Sequence, residues 1–90
     1  MADSDDSLTI LYFAWLRERV GTAAEEISLP AGVRTVAHLI DHLAARGPAY
    51  KAAFAARPAI RCAVNQEFAP ISTELHPGDE VGFFPPVTGG

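Results

Sequence analysis

Glu80-Val81-Gly82-Phe83-Phe84-Pro85-Pro86-Val87-Thr88-Gly89-Gly90 is the stretch from which the rest of the chain is best read. Its first five residues alternate. Val81 and Phe83 point one way, and Glu80, Gly82 and Phe84 the other, the period of a strand. The strand runs without a break into Pro85-Pro86, which favours a stiff, extended backbone. Val87 and Thr88 are β-branched and favour extension as well. The stretch therefore predicts a last strand that continues as a semi-rigid arm and ends in two residues without side chains.

Outward from this strand, the chain divides into short elements. His76-Pro77-Gly78-Asp79 is a turn, and Phe68 to Ile71 and Ile60 to Val64 are strand-like, with Asn65-Gln66 as the turn between them. Ile60, Cys62 and Val64 share one face, with Arg61, Ala63 and Asn65 on the other. Upstream, Thr35 has the character of an N-cap. Val36, Leu39, Ile40 and Leu43 then recur at helical spacing as one apolar stripe, and Gly47-Pro48 is expected to end that helix. Ala49 to Ala56, with Tyr50 and Phe54 four apart, predicts a short further helix closed by Arg57-Pro58. Glu25 to Leu29 alternates as a strand, and Pro30-Ala31-Gly32 ends it. Ala14 to Val20 is a short helix stopped by Gly21. Leu8 to Phe13 is a first strand, with Leu8, Ile10 and Tyr12 on one face and Leu11 and Phe13 on the other. Strand, strand, helix, then two or three strands is the order of an α+β two-layer domain. Residues 1–7 form an acidic leader, 8–84 the domain and 85–90 the tail.

Ninety residues make one domain with a modest core, which leaves no room for a deep cleft. The formal charge of −4 and the single lysine, Lys51, exclude the basic footprint of a nucleic-acid binder. No apolar run is long enough to span a membrane. The acidic start is unlike a targeting peptide. The lone Cys62 cannot staple the fold, which suits a reducing compartment, so the chain is expected to be cytoplasmic.

The chemistry points to the tail. A terminal carboxylate is ionised at neutral pH, its pKa lying near ~3.5, and an anionic carboxylate is a poor acyl electrophile. It needs activation, for example as an acyl-adenylate, and that requires the terminus to enter another protein's narrow nucleotide site. Glycine permits the close backbone approach. A terminal acyl-adenylate on Gly90 could accept a thiol, an amine or sulfide. Against this stands the reading of Gly89-Gly90 as an inert frayed end.

Leu11-Tyr12-Phe13-Ala14, Arg17-Glu18-Arg19-Val20-Gly21-Thr22, Ala63-Val64-Asn65-Gln66 and Gly78 through Gly90 together resemble the small, sulfur-carrier subunits of molybdopterin synthases, a family of ubiquitin-like sulfur carriers. Phe83-Phe84-Pro85-Pro86-Val87-Thr88-Gly89-Gly90 is the most specific piece. The resemblance spans about Leu8 to Gly90. It implies a β-grasp fold: a mixed sheet of four to five strands, a helix packed across one face and short additional helices. It implies that Gly90 is adenylated by an ATP-consuming activating enzyme and converted to a thiocarboxylate. It further implies that the tail enters the large subunit of the synthase and passes sulfur to cyclic pyranopterin monophosphate. The complex would be a heterotetramer of two small and two large subunits. The small subunit would be a non-catalytic sulfur donor with no cofactor or metal of its own.

Strand parity suggests a docking face. If Leu8, Ile10, Tyr12, Val81 and Phe83 face the helix, the outer face carries Leu11, Phe13, Ala63, Gly82 and Phe84, with Phe68 a possible addition. Exposed aromatics on a small domain mark interfaces. The partner-binding candidates are Phe13, Phe68, Phe84, Pro85, Pro86, Val87 and Thr88, and the alternative makes the three phenylalanines ordinary core residues. His38 and His42 have a spacing that can hold a metal, but no third ligand accompanies them, and they are read as solvated. Cys62 is expected to be a buried core thiol. Arg17, Glu18 and Arg19 are read as a solvated helix face. Two other readings compete with the leading one: a sulfur carrier for thiazole synthesis or another thiolation pathway, and a ubiquitin-like interaction domain with an inert tail. A small enzyme with its own site lacks any nucleophile–base pair.

Overall fold

A computed structural model describes residues 6–55 and 57–86. Five strands form one mixed sheet in the order β2-β1-β5-β3-β4. They are β1 (Ser7–Tyr12), β2 (Ala24–Ser28), β3 (Arg61–Val64), β4 (Glu67–Ala69) and β5 (Glu80–Phe84). Helices α1 (Trp15–Val20), α2 (Val36–Ala44) and α3 (Pro48–Phe54) accompany it, with a 3-10 turn at Arg57–Ala59. β1 and β2 are antiparallel, as are β3 with β4 and β3 with β5. β1 and β5 run parallel at the centre, Tyr12 beside Phe83. The expected mixed sheet is therefore present, and β1 begins one residue earlier than expected, at Ser7.

The core follows from the alternation. Leu8, Ile10 and Tyr12 of β1 and Val81 and Phe83 of β5 are buried. They meet the α2 stripe of Val36, Leu39, Ile40 and Leu43, together with Leu16, Phe54, Ile60 and Cys62. Phe83 stacks with Tyr12 at 6.4 Å between ring centroids and meets Phe54 edge-on at 5.1 Å. Each fully buried aliphatic or aromatic side chain contributes about 1.5–3 kcal/mol.

Local chemistry sets the element ends. Gly21 closes α1 in the left-handed region, at φ 95°, its N–H bonded to the Arg17 carbonyl. The Thr35 hydroxyl accepts the His38 N–H at 3.3 Å, and His38 Nδ1 in turn accepts the Arg34 N–H at 3.1 Å. Asn65 and Gln66, at φ 53° and 71°, make the two-residue turn whose twist suits a hairpin. Asp79 latches the start of β5: its carboxylate accepts from His76 N–H at 2.8 Å and from Asn65 Nδ2 at 2.9 Å. Gly47-Pro48, however, does not end α2. That helix stops at Ala44 with Ala45 as its cap, and Pro48 is the first residue of α3. Proline is at home there, because its missing N–H would have no partner in the first turn.

One polar cluster was not foreseen. Glu25 on β2 accepts the Tyr12 hydroxyl at 2.8 Å and the Tyr50 hydroxyl at 3.0 Å on one oxygen. The Arg46 guanidinium donates to the other at 2.9 Å. Burial alone would raise the Glu25 pKa, but the hydrogen bonds from Tyr12, Arg46 and Tyr50 outweigh it and hold the carboxyl below its usual range. Burial, then the bond to Glu25, pushes the Tyr12 hydroxyl well above its ordinary value. The cluster ties the edge strand to α3 and to the loop before it.

Two outcomes are expected. Phe83→Ala, which empties the aromatic centre, costs about 3–5 kcal/mol in a urea melt. Because Glu25 titrates lower in the folded chain than unfolded, its contribution is complete above the unfolded pKa and is lost as pH falls through the folded one. Urea melts across acidic pH will show that loss, and Glu25→Gln will remove its share of the slope. At neutral pH Glu25→Ala, which strips the Tyr12 hydroxyl of its acceptor, costs about 1–3 kcal/mol.

Candidate functional site: the outer sheet face and the root of the tail

The helices cover one face of the sheet, and the face opposite carries the aromatic residues that are not in the core. Leu11, Gly82, Ala63 and Phe68 form one cross-strand row through the pairs Leu11–Gly82, Gly82–Ala63 and Ala63–Phe68. Two small residues in the middle of the row make it a shallow trough. Phe13 lies over Gly82: a Cβ built there would sit 3.2 Å from Phe13 Cε2. Phe84, two residues along β5 from Gly82, lies 5.6 Å from Phe68 between ring centroids. Phe68 is 82% exposed and Phe13 47%, and Phe84 is half-buried.

None of the three phenylalanines therefore belongs to the core. They border one surface, as parity suggested. Phe68 and Phe84 also line an open groove of about 480 Å³ with Arg61, Cys62, Ala69 and Pro70. Ile71, 37% exposed, continues the apolar surface beyond Pro70. Arg61 and Ile71 were not singled out in the sequence. Arg61 pairs with Phe84 across the sheet, a register no local pattern encodes. The sequence places Ile71 at the end of a strand, but β4 stops at Ala69, before Pro70, and Ile71 lies in the loop beyond it.

The tail leaves from this surface. Pro85 and Pro86 follow β5 without strand structure and are half-buried. Val87, Thr88, Gly89 and Gly90 lie outside the described residues. β5 is the central strand, so the tail starts from the middle of the sheet's end, beside the aromatic surface. The Phe13 N–H donates to the Phe83 carbonyl at 3.1 Å, which fixes the end of β1 to the last turnings of β5.

The rest of the body offers little chemistry. Burial pushes the Cys62 thiol up, away from the thiolate that a nucleophile needs, and the thiol donates a hydrogen bond to the Ala69 carbonyl at 3.1 Å. Among the described residues no three His, Cys, Asp or Glu side chains gather as a metal site. His38 is occupied by the N-terminal turn of α2, and His42 is exposed elsewhere on that helix. Arg17, Glu18 and Arg19 form an exposed face, with the Arg19 guanidinium 4.8 Å from the Trp15 ring centroid. Asp79 is engaged in the turn, and Asn65 Oδ1 accepts the Glu80 N–H at 3.0 Å. Among the described residues no helix is long and apolar enough to cross a membrane.

Known proteins are similar to this chain over most of its length. The chain is 42% identical over 83 residues to the molybdopterin synthase sulfur carrier subunit of Escherichia coli, covering 92% of this chain and 99% of that one. It is 33% identical over 84 residues to the human protein of the same name, covering 90% and 91%. Its structure is similar to that of the small archaeal modifier protein 1 of Haloferax volcanii, with a TM-score of 0.71 at 27% identity, covering 90% of this chain and 98% of that one. The expected β-grasp arrangement is thus shared with ubiquitin-like proteins. Residues 10–90, all of the chain from the middle of β1 onward, match the ThiS family, and the chain belongs to it.

Proposed function

We propose that the protein is the sulfur-carrier subunit of a molybdopterin synthase. The observation that carries this reading is the pairing of a nearly full-length match to proteins of that name with a tail that starts beside an aromatic surface. The reacting group is the Gly90 carboxylate. An activating enzyme uses ATP: the carboxylate attacks the α-phosphate, pyrophosphate leaves, and an acyl-adenylate forms. Sulfide released by a sulfur donor then attacks the acyl carbon and displaces AMP, leaving a thiocarboxylate. In the large subunit the thiocarboxylate sulfur bonds to a carbon of cyclic pyranopterin monophosphate as an oxygen substituent on that carbon departs. Water then cleaves the resulting thioester at its acyl carbon, leaving the sulfur on the substrate and restoring the Gly90 carboxylate.

In this scheme the carrier supplies position and a delivered nucleophile, and the large subunit supplies the pocket and the proton transfers. Gly89 lets the backbone enter a narrow channel. Pro85, Pro86, Val87 and Thr88 keep the arm extended. Phe13, Phe68 and Phe84 dock the body against the large subunit. Assembly as two small and two large subunits, ATP consumption confined to the activating enzyme, and a cytoplasmic setting complete the proposal. The likeness to an archaeal modifier protein supports a second reading, in which the Gly90 acyl group passes to an amine.

Incubation with ATP, a sulfur donor and the activating enzyme, read by intact mass, separates these. A gain equal to replacing one oxygen by sulfur, mapped to Gly90, is the expected result. An isopeptide adduct instead supports the modifier reading, and an unchanged mass beside an active control carrier overturns both. Deletion of Gly90 abolishes charging while leaving the melting curve in place. Replacing Phe13, Phe68 and Phe84 together by serine weakens binding to the large subunit by at least tenfold, about 1.4 kcal/mol, in titration calorimetry. Unchanged affinity would remove the docking assignment.

A further inference from the structure

Two features beside the tail disfavour the fold locally and meet at one side chain. Ala14 joins β1 to α1 with φ 55° and ψ −133°. This is the mirror image of ordinary extended backbone, a region an L side chain rarely adopts. Alanine is also a poor cap, and no side chain caps α1 there. Gly82 lies inside the central strand with ordinary strand φ, so its backbone does not call for glycine, and a glycine there weakens a strand. The missing Cβ of Gly82 is where the Phe13 ring lies, 3.2 Å away by the built position. Phe13 is the residue before Ala14, and its carbonyl accepts the Leu16 N–H at 3.1 Å across the strained turn.

We infer that the strained turn at Ala14 is a positioning device: it holds the Phe13 ring across Gly82 at the root of the tail, ready for the large subunit. The inference rests on the docking role given to Phe13 above. Strand pairing holds Phe13 from one side, through its N–H bond to the Phe83 carbonyl. The turn holds it from the other, through the Leu16 N–H on its carbonyl, while taking the following residues off the strand line and away from the ring. A purely architectural turn would need only to deliver Leu16 into the core. It would not account for a strand-interior glycine left open for a ring that remains 47% exposed.

The test compares three chains with the native one: Ala14→Gly, Ala14→Val, and a chemically synthesised chain with D-alanine at position 14. Glycine and D-alanine relieve the strain, so both raise the melting temperature. Glycine also frees the turn, whereas D-alanine prefers the observed conformation. Ala14→Gly is therefore expected to bind the large subunit about fivefold more weakly despite its greater stability, a size usual for a residue acting through another. The D-alanine chain keeps native affinity. Ala14→Val, which disfavours positive φ most, loses both. The ring-current displacement of the Gly82 α-proton resonances reports the ring directly and shrinks in Ala14→Gly and Ala14→Val. If Ala14→Gly binds as tightly as the native chain while Phe13→Ala binds more weakly, the positioning role is overturned and the docking reading stands. If Phe13→Ala binds natively, the docking reading itself falls.

Discussion

The parallel pairing of β1 with β5 is the constraint on which everything else hangs. Parallel neighbours cannot be joined by a tight turn, so the chain between them must travel away and return. In this protein that excursion is nearly the whole molecule: α1, β2, the helices α2 and α3, and the β3–β4 hairpin. The pairing seats Tyr12 beside Phe83 under the helices, and Leu11 beside Gly82 on the opposite face. One register therefore sets both the aromatic centre of the core and the floor of the outer surface. A slip of one residue would exchange the two.

The two faces answer different demands. The inner one is close-packed and apolar, and its principal polar concession is the Glu25 cluster at the edge, where two tyrosines and an arginine converge on one carboxylate. That cluster lets Tyr12 bury its ring in the core while its hydroxyl keeps an acceptor. The outer face is the reverse: small residues in the middle of the trough and aromatics around it. Exposed phenylalanine and an open strand glycine both work against stability, and both fit the docking role proposed for this surface.

The division of labour between body and tail has a simple physical basis. A domain of this size cannot wall off a reactive intermediate from water. It can hold an arm at a defined place and orientation, and a central strand is the firmest origin for one, since it is bonded on both sides. In the proposed scheme, docking the body turns the search of the arm for its channel into a local event. The described body accordingly keeps its only thiol buried and protonated.

Sequence alone determined the elements and their inward faces. The alternation of Leu8, Ile10, Tyr12, Val81 and Phe83, the helical stripe from Val36 to Leu43, and the turns at Asn65-Gln66 and Pro77-Gly78 are local signals, and local sterics and hydrogen bonding suffice to express them. Of the expected arm, the structure describes Pro85 and Pro86, which follow β5 without strand structure. Tertiary structure alone decided which strands are neighbours, and with that what the aromatic residues do. Phe13, Phe68 and Phe84 read equally as core or surface until Ala63 is paired with both Gly82 and Phe68. Glu25 looks like any exposed strand residue until Tyr12, Arg46 and Tyr50 reach it from distant parts of the chain. The strain at Ala14 has no local signature either, since alanine announces nothing about the sign of φ; only the requirement that β1 both join β5 and feed α1 imposes it. These features rest on contacts between residues far apart in the chain, whose register is set by the packing of the whole core and not by any window of residues.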